Sequence, residues 1–356
     1  MARMMIMAGG TGGHVFPALA VAREMRERGW DVDWMGTPDS FEARTVPAEG
    51  FSLHSISAYR LRGQGVTGLV LAPFRLLRAM RQAGKILRRQ RPQVVLGMGG
   101  FVTGPGGIMS RLLGIPLVIH EQNAIPGLTN RWLAKIAARV LEAFPGSFPS
   151  AVGARETGNP VRAEILALAP PEQRLAGRQG PLRVLIIGGS LGALALNEQI
   201  PPALAKLELP LVIRHQAGRG KAEPARSLYE RLGLDARVSE FIDEMAEALA
   251  WADLVICRAG ALTISELAAV GVASVLVPFP HAVDDHQTRN AEYLVGRGAA
   301  LLQPQSEIKT DTMARRLADL LGSRKKLLEM AVAARALARP EATRQVADEC
   351  AAQVNR

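Results

Sequence analysis

His14 closes a run of glycines, Gly9-Gly-Thr-Gly-Gly13. An unperturbed imidazole has a pKa of about 6.5, so this side chain is a natural acceptor for a hydroxyl proton near neutrality. Glu121, in His120-Glu-Gln-Asn123, is the competing base, and the residues alone leave that choice open. A third group is Arg258-Ala-Gly-Ala-Leu-Thr-Ile-Ser-Glu266, read as a loop entering a helix near Leu262 or Thr263. Free N–H groups at such a helix start can bind a phosphate, and Glu266, about one turn in, can accept hydrogen bonds from a diol. A fourth loop, Pro278 to Asn290, packs His281, Asp284, Asp285, His286 and Gln287 into a short span. No H-E-x-x-H, C-x-x-C or clustered-carboxylate pattern occurs, so neither a tightly held metal nor another cofactor is expected.

Three glycine-rich turns follow apolar runs: Gly9 to Gly13 after Arg3 to Met7, Gly97 to Gly107 after Val94 to Leu96, and Gly188 to Gly192 after Leu182 to Ile187. Glycine is needed where φ is positive or where a side chain would block close approach. A dinucleotide fingerprint begun at Gly10 requires glycine at position 15 and meets Val15, and no G-x-x-x-x-G-K-[ST] is present. A nicotinamide oxidoreductase and a Walker nucleotidase therefore fit poorly. In open α/β sheets ligands bind beyond the carboxyl ends of strands, so loops of this kind on two lobes predict a cleft that joins two substrates.

The elements that must position these residues are short apolar runs alternating with helical patterns, the sequence form of parallel strands linked by crossover helices. The class is α/β. Val15 to Arg28 reads as the first helix and Ala193 to Leu207 as its counterpart after the second restart. The length of 356 residues suits two domains. Phe148 to Arg183 is rich in breakers, including Pro149, Pro160, Pro170, Pro171 and Pro181, which places the boundary near Pro160: residues 1–160 and 161–339. Asp311 to Val354 is helical by pattern, interrupted at Pro340.

Charge separates the halves. Residues 1–160 carry 19 Lys+Arg against 10 Asp+Glu, a net of +9, whereas residues 161–356 carry 24 against 23, a net of +1. No acidic residue occurs from 50 to 120, where Arg60, Arg62, Arg75, Arg78, Arg81, Lys85, Arg88, Arg89, Arg91 and Arg111 lie. Such a field attracts an anionic partner, nucleic acid or lipid. A nucleic-acid-binding module would leave the glycine loops and Glu266 without a task, so no nucleic-acid partner is expected. Leu69 to Arg89 reads as an amphipathic helix, interrupted early by Pro73, with Leu69, Leu76, Leu77, Met80 and Ile86 among its cations. Two cysteines, Cys257 and Cys350, are too few for a disulfide framework and point to a reducing compartment. No apolar stretch reaches the roughly 18 residues of a spanning helix, and Met4 to Ala8 is shorter than the core of a signal peptide.

Gly9 to His14, Gly97 to Gly107, His120 to Asn123, Gly158-Asn-Pro-Val-Arg162, Gly188 to Ala193, Phe241-Ile-Asp243, Arg258 to Glu266 and Asp285-His-Gln287 together resemble, in order and spacing, the MurG family of bacterial glycosyltransferases. The likeness spans nearly the whole chain. It implies a GT-B architecture, two Rossmann-like domains with parallel sheets flanking an interdomain cleft. The first domain would face the acceptor and the membrane, with a last helix (340–356) packing back on it, and the second would bind the UDP-sugar donor. The implied reaction is inverting transfer of N-acetylglucosamine from UDP-N-acetylglucosamine to the 4-hydroxyl of a lipid-linked N-acetylmuramyl pentapeptide in peptidoglycan synthesis. It would take place at the cytoplasmic face of the inner membrane, with the basic segment 60–91 docking on anionic lipid.

By matching position, the backbone at Ile242 would hold uracil, Glu266 the ribose, and Ser190 with the turn Ala261, Leu262 and Thr263 the diphosphate. Ile264 and Ser265 fall in the same substrate-binding stretch, and Arg162 would also face the donor. Thr11, Gly12, Gly13, Asn123 and Gln287 would reach the sugar and the reacting centre, beside His14 or Glu121 as base. A UDP-N-acetylglucosamine 2-epimerase, which shares the architecture and needs no lipid acceptor, or another GT-B UDP-sugar enzyme, is the alternative. Phe101 departs from the family, whose members often carry tyrosine there, and Gly271-Val-Ala273 lacks a proline often found after the corresponding glycine.

Overall fold

A computed structural model of the chain describes residues 1–58, 65–189 and 191–354. The chain divides into two compact units, Met1–Arg162 with Arg339–Arg356, and Ala163–Ala338.

The strands of the first unit are β1 (Arg3–Met7), β2 (Asp31–Gly36), β3 (Ser52–Ser55), β4 (Val94–Gly97), β5 (Leu117–Glu121), β6 (Arg139–Glu142) and β7 (Arg155–Glu156). They form one parallel sheet in the order β3-β2-β1-β4-β5-β6-β7. Its helices are α1 (Gly12–Glu27), α2 (Phe41–Ala48), α3 (Gly65–Gln90), α4 (Thr103–Leu112) and α5 (Leu128–Leu133). β1 is apolar at nearly every position because the sheet is covered on both faces. Met4 and Ile6 enter one core with Val15, Leu19 and Met25, whereas Met5 and Met7 enter the opposite core with Ala83, Leu87 and Leu133.

The second unit repeats the design. Its strands β8 (Leu182–Ile187), β9 (Leu211–Gln216), β10 (Ala236–Ser239), β11 (Leu254–Cys257), β12 (Ala273–Leu276) and β13 (Ala300–Leu302) are parallel in the order β10-β9-β8-β11-β12-β13. The helices are α6 (Ala163–Leu166), α7 (Pro171–Arg174), α8 (Leu194–Ala205), α9 (Ala222–Arg231), α10 (Met245–Trp251), α11 (Ala261–Val270), α12 (His286–Val295), α13 (Thr310–Leu321) and α14 (Arg324–Ala336). The helical pattern expected from Asp311 onward resolves into α13, α14 and α15 (Ala342–Ala351). In α15, Val346, Ala347 and Cys350 are buried in the first unit's core beside α1.

Two expectations need correction. α1 begins at Gly12, not Val15, so part of the first glycine turn is already helix. α3 runs through Pro73 without interruption: Pro73 is on the exposed side, where water can satisfy the carbonyl that its missing N–H leaves unpaired. The stripe by which α3 packs consists of Ala79, Ala83 and Leu87, while Leu76 and Leu77 are exposed. Small residues win there because the helix lies close to α4. A side chain at Gly84 would come within 2.8 Å of Met109.

Candidate active site

β1 and β4 are central neighbours whose connections leave in opposite directions, which makes the space beyond their carboxyl ends the expected ligand crevice of this sheet. The loops after these strands are joined there. Met98 N–H donates to Met7 O at 2.8 Å and Gly9 N–H to Gly99 O at 3.3 Å. Gly100 has φ +89°, and a Cβ on it would lie 2.4 Å from Gly9 O, so only glycine permits the approach.

Glu42 fixes the first loop from behind. Fully buried, it accepts from Gly10 N–H (3.0 Å), Thr37 N–H (3.0 Å) and the Thr37 hydroxyl (2.7 Å). Burial alone would raise its pKa, but the hydrogen bonds from Thr37 and Gly10 outweigh it and hold the carboxyl below its usual range. Gly10 N–H is thus committed to a carboxylate. Thr11 is the N-cap of α1, and the first helical bonds run from His14 and Val15 to Thr11 O. The amides of Gly12 and Gly13 precede those bonds and form the positive end of the helix.

His14 follows in the first turn of α1, half-buried, with its ring against Gly99. Its Nδ1 lies 2.8 Å from Gln122 Oε1. Gln122 Nε2 is 3.1 Å from both His120 Nδ1 and His120 O, and His120 Nε2 is 2.9 Å from Gly158 O. His120 is completely buried, which pushes its pKa down to about 4 and keeps the ring neutral.

Glu121 is brought close in sequence but is otherwise engaged. It is 2% exposed. One oxygen accepts from Asn123 N–H (2.9 Å) and Asn123 Nδ2 (3.2 Å), the other from Gly127 N–H (3.1 Å) and Asn130 Nδ2 (2.9 Å). These bonds shape the loop from β5 to α5 and hold Asn123 in place. Arg162 ends the first unit with its guanidinium 5.5 Å from the centre of the Phe16 ring, on α1.

The second unit has its own switch point between β8 and β11. After β8, Gly188 N–H donates to Gln216 O and Gly192 N–H to Gly189 O, at 3.2 and 2.8 Å. A Cβ on Gly192, whose φ is +69°, would fall 2.0 Å from Ala217 O. Ser190 lies outside the described residues. Behind this loop, the buried His215 joins Tyr229 Oη (2.9 Å) to Asn197 Oδ1 (3.0 Å), and Asn197 Nδ2 donates to Ala217 O (3.0 Å).

After β11, α11 starts at Ala261, one or two residues earlier than expected, with Gly260 as N-cap. Its first helical bond runs from Ile264 N–H to Gly260 O (2.9 Å), so the amides of Ala261, Leu262 and Thr263 stand ahead of it. Ile264 is fully buried, and the Ser265 hydroxyl donates to Ala261 O (3.0 Å). Glu266 is buried on the second turn. Arg258 braces the neighbouring loop by donating to Val277 O and Pro278 O, each at 3.1 Å, and to Gln305 Oε1 at 2.6 Å. Gln287, in the first turn of α12, accepts from Phe279 N–H at 2.9 Å. The preceding Asp284 and Asp285 have φ of 56° and 50°, a strained pair of a kind that collects at functional loops. Ile242 is in the loop after β10, partly buried beside the exposed Phe241.

Among the described residues no group of three His, Cys, Asp or Glu side chains is placed to hold a metal ion. Cys257 and Cys350 are free and buried. The residues that sequence reasoning missed are Gln122, His120 as a ring rather than a loop marker, and Glu42. Only Gln122 carried a signal, its place at the end of a strand beside two singled-out residues.

Two Rossmann-like parallel sheets, each with glycine and polar loops at its switch point, define the GT-B class of glycosyltransferases. Residues 4–142 match the glycosyltransferase family 28 N-terminal domain and residues 183–346 the family 28 C-terminal domain. The chain belongs to glycosyltransferase family 28. It is 55% identical, over 99% of its length and 98% of the relative's, to the UDP-N-acetylglucosamine--N-acetylmuramyl-(pentapeptide) pyrophosphoryl-undecaprenol N-acetylglucosamine transferase of Marinobacter nauticus. The crystal structure of Acinetobacter baumannii MurG superposes with a TM-score of 0.86 at 44% identity, covering 99% of this chain and 100% of that one. UDP-GlcNAc 2-epimerase from Neisseria meningitidis, solved bound to UDP-GlcNAc, shares the fold alone, with a TM-score of 0.67 at 11% identity over 98% and 99% of the two chains.

Proposed function

We infer that this enzyme transfers N-acetylglucosamine from UDP-N-acetylglucosamine to the 4-hydroxyl of the N-acetylmuramyl unit of lipid I, with inversion, forming lipid II. The observation that carries the reading is the 55% identity over nearly the full length to a transferase of that name. The epimerase alternative has only the shared fold in its favour.

Each unit has its own share of the work. In the second unit, the amides of Ala261, Leu262 and Thr263 and the loop from Gly188 to Ala193 hold the donor diphosphate, Glu266 the ribose and the backbone at Ile242 the uracil; Ser190 is assigned to the same diphosphate. Ile264 and Ser265 shape the helix that presents those amides. In the first unit, Thr11, Gly12, Gly13 and Asn123 surround the acceptor side of the reacting sugar, with Gln287 contributed by the second unit and Arg162 drawn to the diphosphate by charge. His14 takes the proton. Glu121 is the weaker candidate because its lone pairs already accept four hydrogen bonds.

In the reaction the acceptor oxygen forms a bond to the anomeric carbon on the face opposite the diphosphate, its proton passes to His14, and the bond to UDP breaks with its electron pair on the leaving phosphate. Fixed amide dipoles stabilise that charge without reorganising, which is where such sites gain most of their rate. Holding the two substrates in line supplies much of the rest.

Membrane docking is assigned to α3. No helix among the described residues is long and apolar enough to cross a membrane. α3 nevertheless exposes Leu71, Phe74 (72% exposed), Leu76 and Leu77 beside Arg75, Arg78, Arg81, Lys85, Arg88 and Arg89. Exposed apolar residues with an all-basic surround suit an anionic leaflet, here the cytoplasmic face of the inner membrane. Arg60, Arg62 and the side chain of Leu69 lie outside what is described.

The test is incubation with labelled UDP-N-acetylglucosamine, with and without the lipid-linked muramyl acceptor. Label moving to the lipid fraction only when acceptor is present supports the transferase. Epimerised nucleotide sugar in its absence overturns it.

A further inference from the structure

We propose that Gln122 and His120 are positioning residues that hold His14 in the tautomer protonated on Nδ1, leaving the Nε2 lone pair to receive the acceptor proton. The proposal rests on His14 being the base and says how it is made one.

The direction of every hydrogen bond in the chain is set by backbone carbonyls, which only accept. Gly158 O lies 2.9 Å from His120 Nε2, so that nitrogen carries the proton of the neutral ring and Nδ1 is left as an acceptor. Gln122 then faces two acceptors at 3.1 Å, His120 Nδ1 and His120 O, and must turn its NH2 toward them. Its carbonyl oxygen is thereby aimed at His14 Nδ1, 2.8 Å away, and can be satisfied only by an N–H there. The opposite amide orientation would set oxygen against oxygen at His120 O. A neutral His14 has one ring proton, so fixing it on Nδ1 makes Nε2 the acceptor. Burial of His120 and Gln122, 0% and 1% exposed, keeps water from offering other partners. A neutral amide does for this histidine what a carboxylate does in many hydrolases: it selects the tautomer.

The chain has six histidines, so ring nitrogens can be resolved by long-range proton–nitrogen NMR on histidine-labelled enzyme, the His14 signal being the one lost in His14→Gln. Gln122→Met keeps the length of the side chain and removes both polar groups, whereas Gln122→Glu, carrying its proton on the oxygen that faces the two His120 acceptors, keeps the acceptor for Nδ1–H. The expected result is Nδ1–H in the parent and in Gln122→Glu, a mixture of tautomers in Gln122→Met, and a kcat for Gln122→Met about 100-fold down with the donor KM within about twofold. Gln122→Glu should recover part of that loss. A parent enzyme carrying the proton on Nε2 overturns the proposal even if His14→Ala abolishes turnover, in which case the base assignment survives alone. Retention of Nδ1–H in Gln122→Met, or its loss with kcat unchanged, also overturns it. If His14→Ala keeps full kcat, both readings fall together.

Discussion

Replacing Gly99 by alanine tests whether the seat of the His14 ring matters to the chemistry. The added Cβ would lie 2.8 Å from Nδ1 and 2.9 Å from Cε1 of that ring, and the backbone φ of +102° is one that alanine adopts only under strain. Ordinary contact begins near 3.4 Å, so the ring must retreat by about 0.6 Å or swing, and its bond to Gln122 is stretched or lost. Misplacement on the order of 1 Å at a reacting group costs about 100-fold in rate, or about 2.7 kcal/mol of barrier. Gly29→Ala is the matched control: φ is +80° there, with nothing within 4 Å of the added Cβ. Both variants should lose roughly 1–3 kcal/mol of stability to backbone strain, read from urea midpoints. Only Gly99→Ala should lose kcat, in a labelled-sugar transfer assay with saturating donor and acceptor. Equal kcat for the two variants would refute the reasoning, because strain without displacement of His14 would then account for everything.

Three further outcomes are expected. Glu121→Gln turns an NH2 toward donors and should cost about 3 kcal/mol of stability, while the dependence of kcat on pH stays as in the parent; a lost acidic limb would return Glu121 to the role of base. Reversing Arg78, Arg81 and Lys85 to glutamate should weaken sedimentation with anionic vesicles by at least about 100-fold, at about 1 kcal/mol per removed cation, with no change on neutral vesicles; unaltered binding to the anionic ones would remove α3 from the docking surface. Burial holds the His215 pKa near 4, below its unfolded value of about 6.5, so the unfolded chain binds the extra proton first. Its stabilising effect is complete above pH 6.5 and is lost as pH falls toward 4, by roughly 3 kcal/mol, which hydrogen exchange in β9 at pH 7 and pH 4.5 should show and His215→Gln should flatten.

The strand ends and their glycine loops were legible because burial on both faces leaves uninterrupted apolar runs, and because turns with positive φ demand glycine. Gly12 and Gly13 hid the true start of α1, since glycine is a poor helix former and only the backbone geometry at Thr11 reveals the cap. Pro73 misled in the opposite sense: one proline on the exposed side of a 26-residue helix does not break it. The packing stripe of α3 was not legible because Ala79 and Ala83 are small and carry little hydrophobic weight beside Leu76 and Leu77. Glu42 and the ring of His120 act on Gly10 and, through Gln122, on His14, partners 32 and more than 100 residues away, and no local spacing encodes such meetings.

The central claim is a division of labour, with donor binding in the second unit and proton removal by His14 in the first. It is tested most directly by measuring, on His14→Ala, both the equilibrium affinity for UDP-N-acetylglucosamine and the single-turnover rate of sugar transfer to a lipid-linked muramyl acceptor. The account predicts donor affinity within about twofold of the parent and a transfer rate lower by about 100-fold or more. A fall in affinity that matches the fall in overall efficiency, with the bound donor turning over at the parent rate, would contradict it.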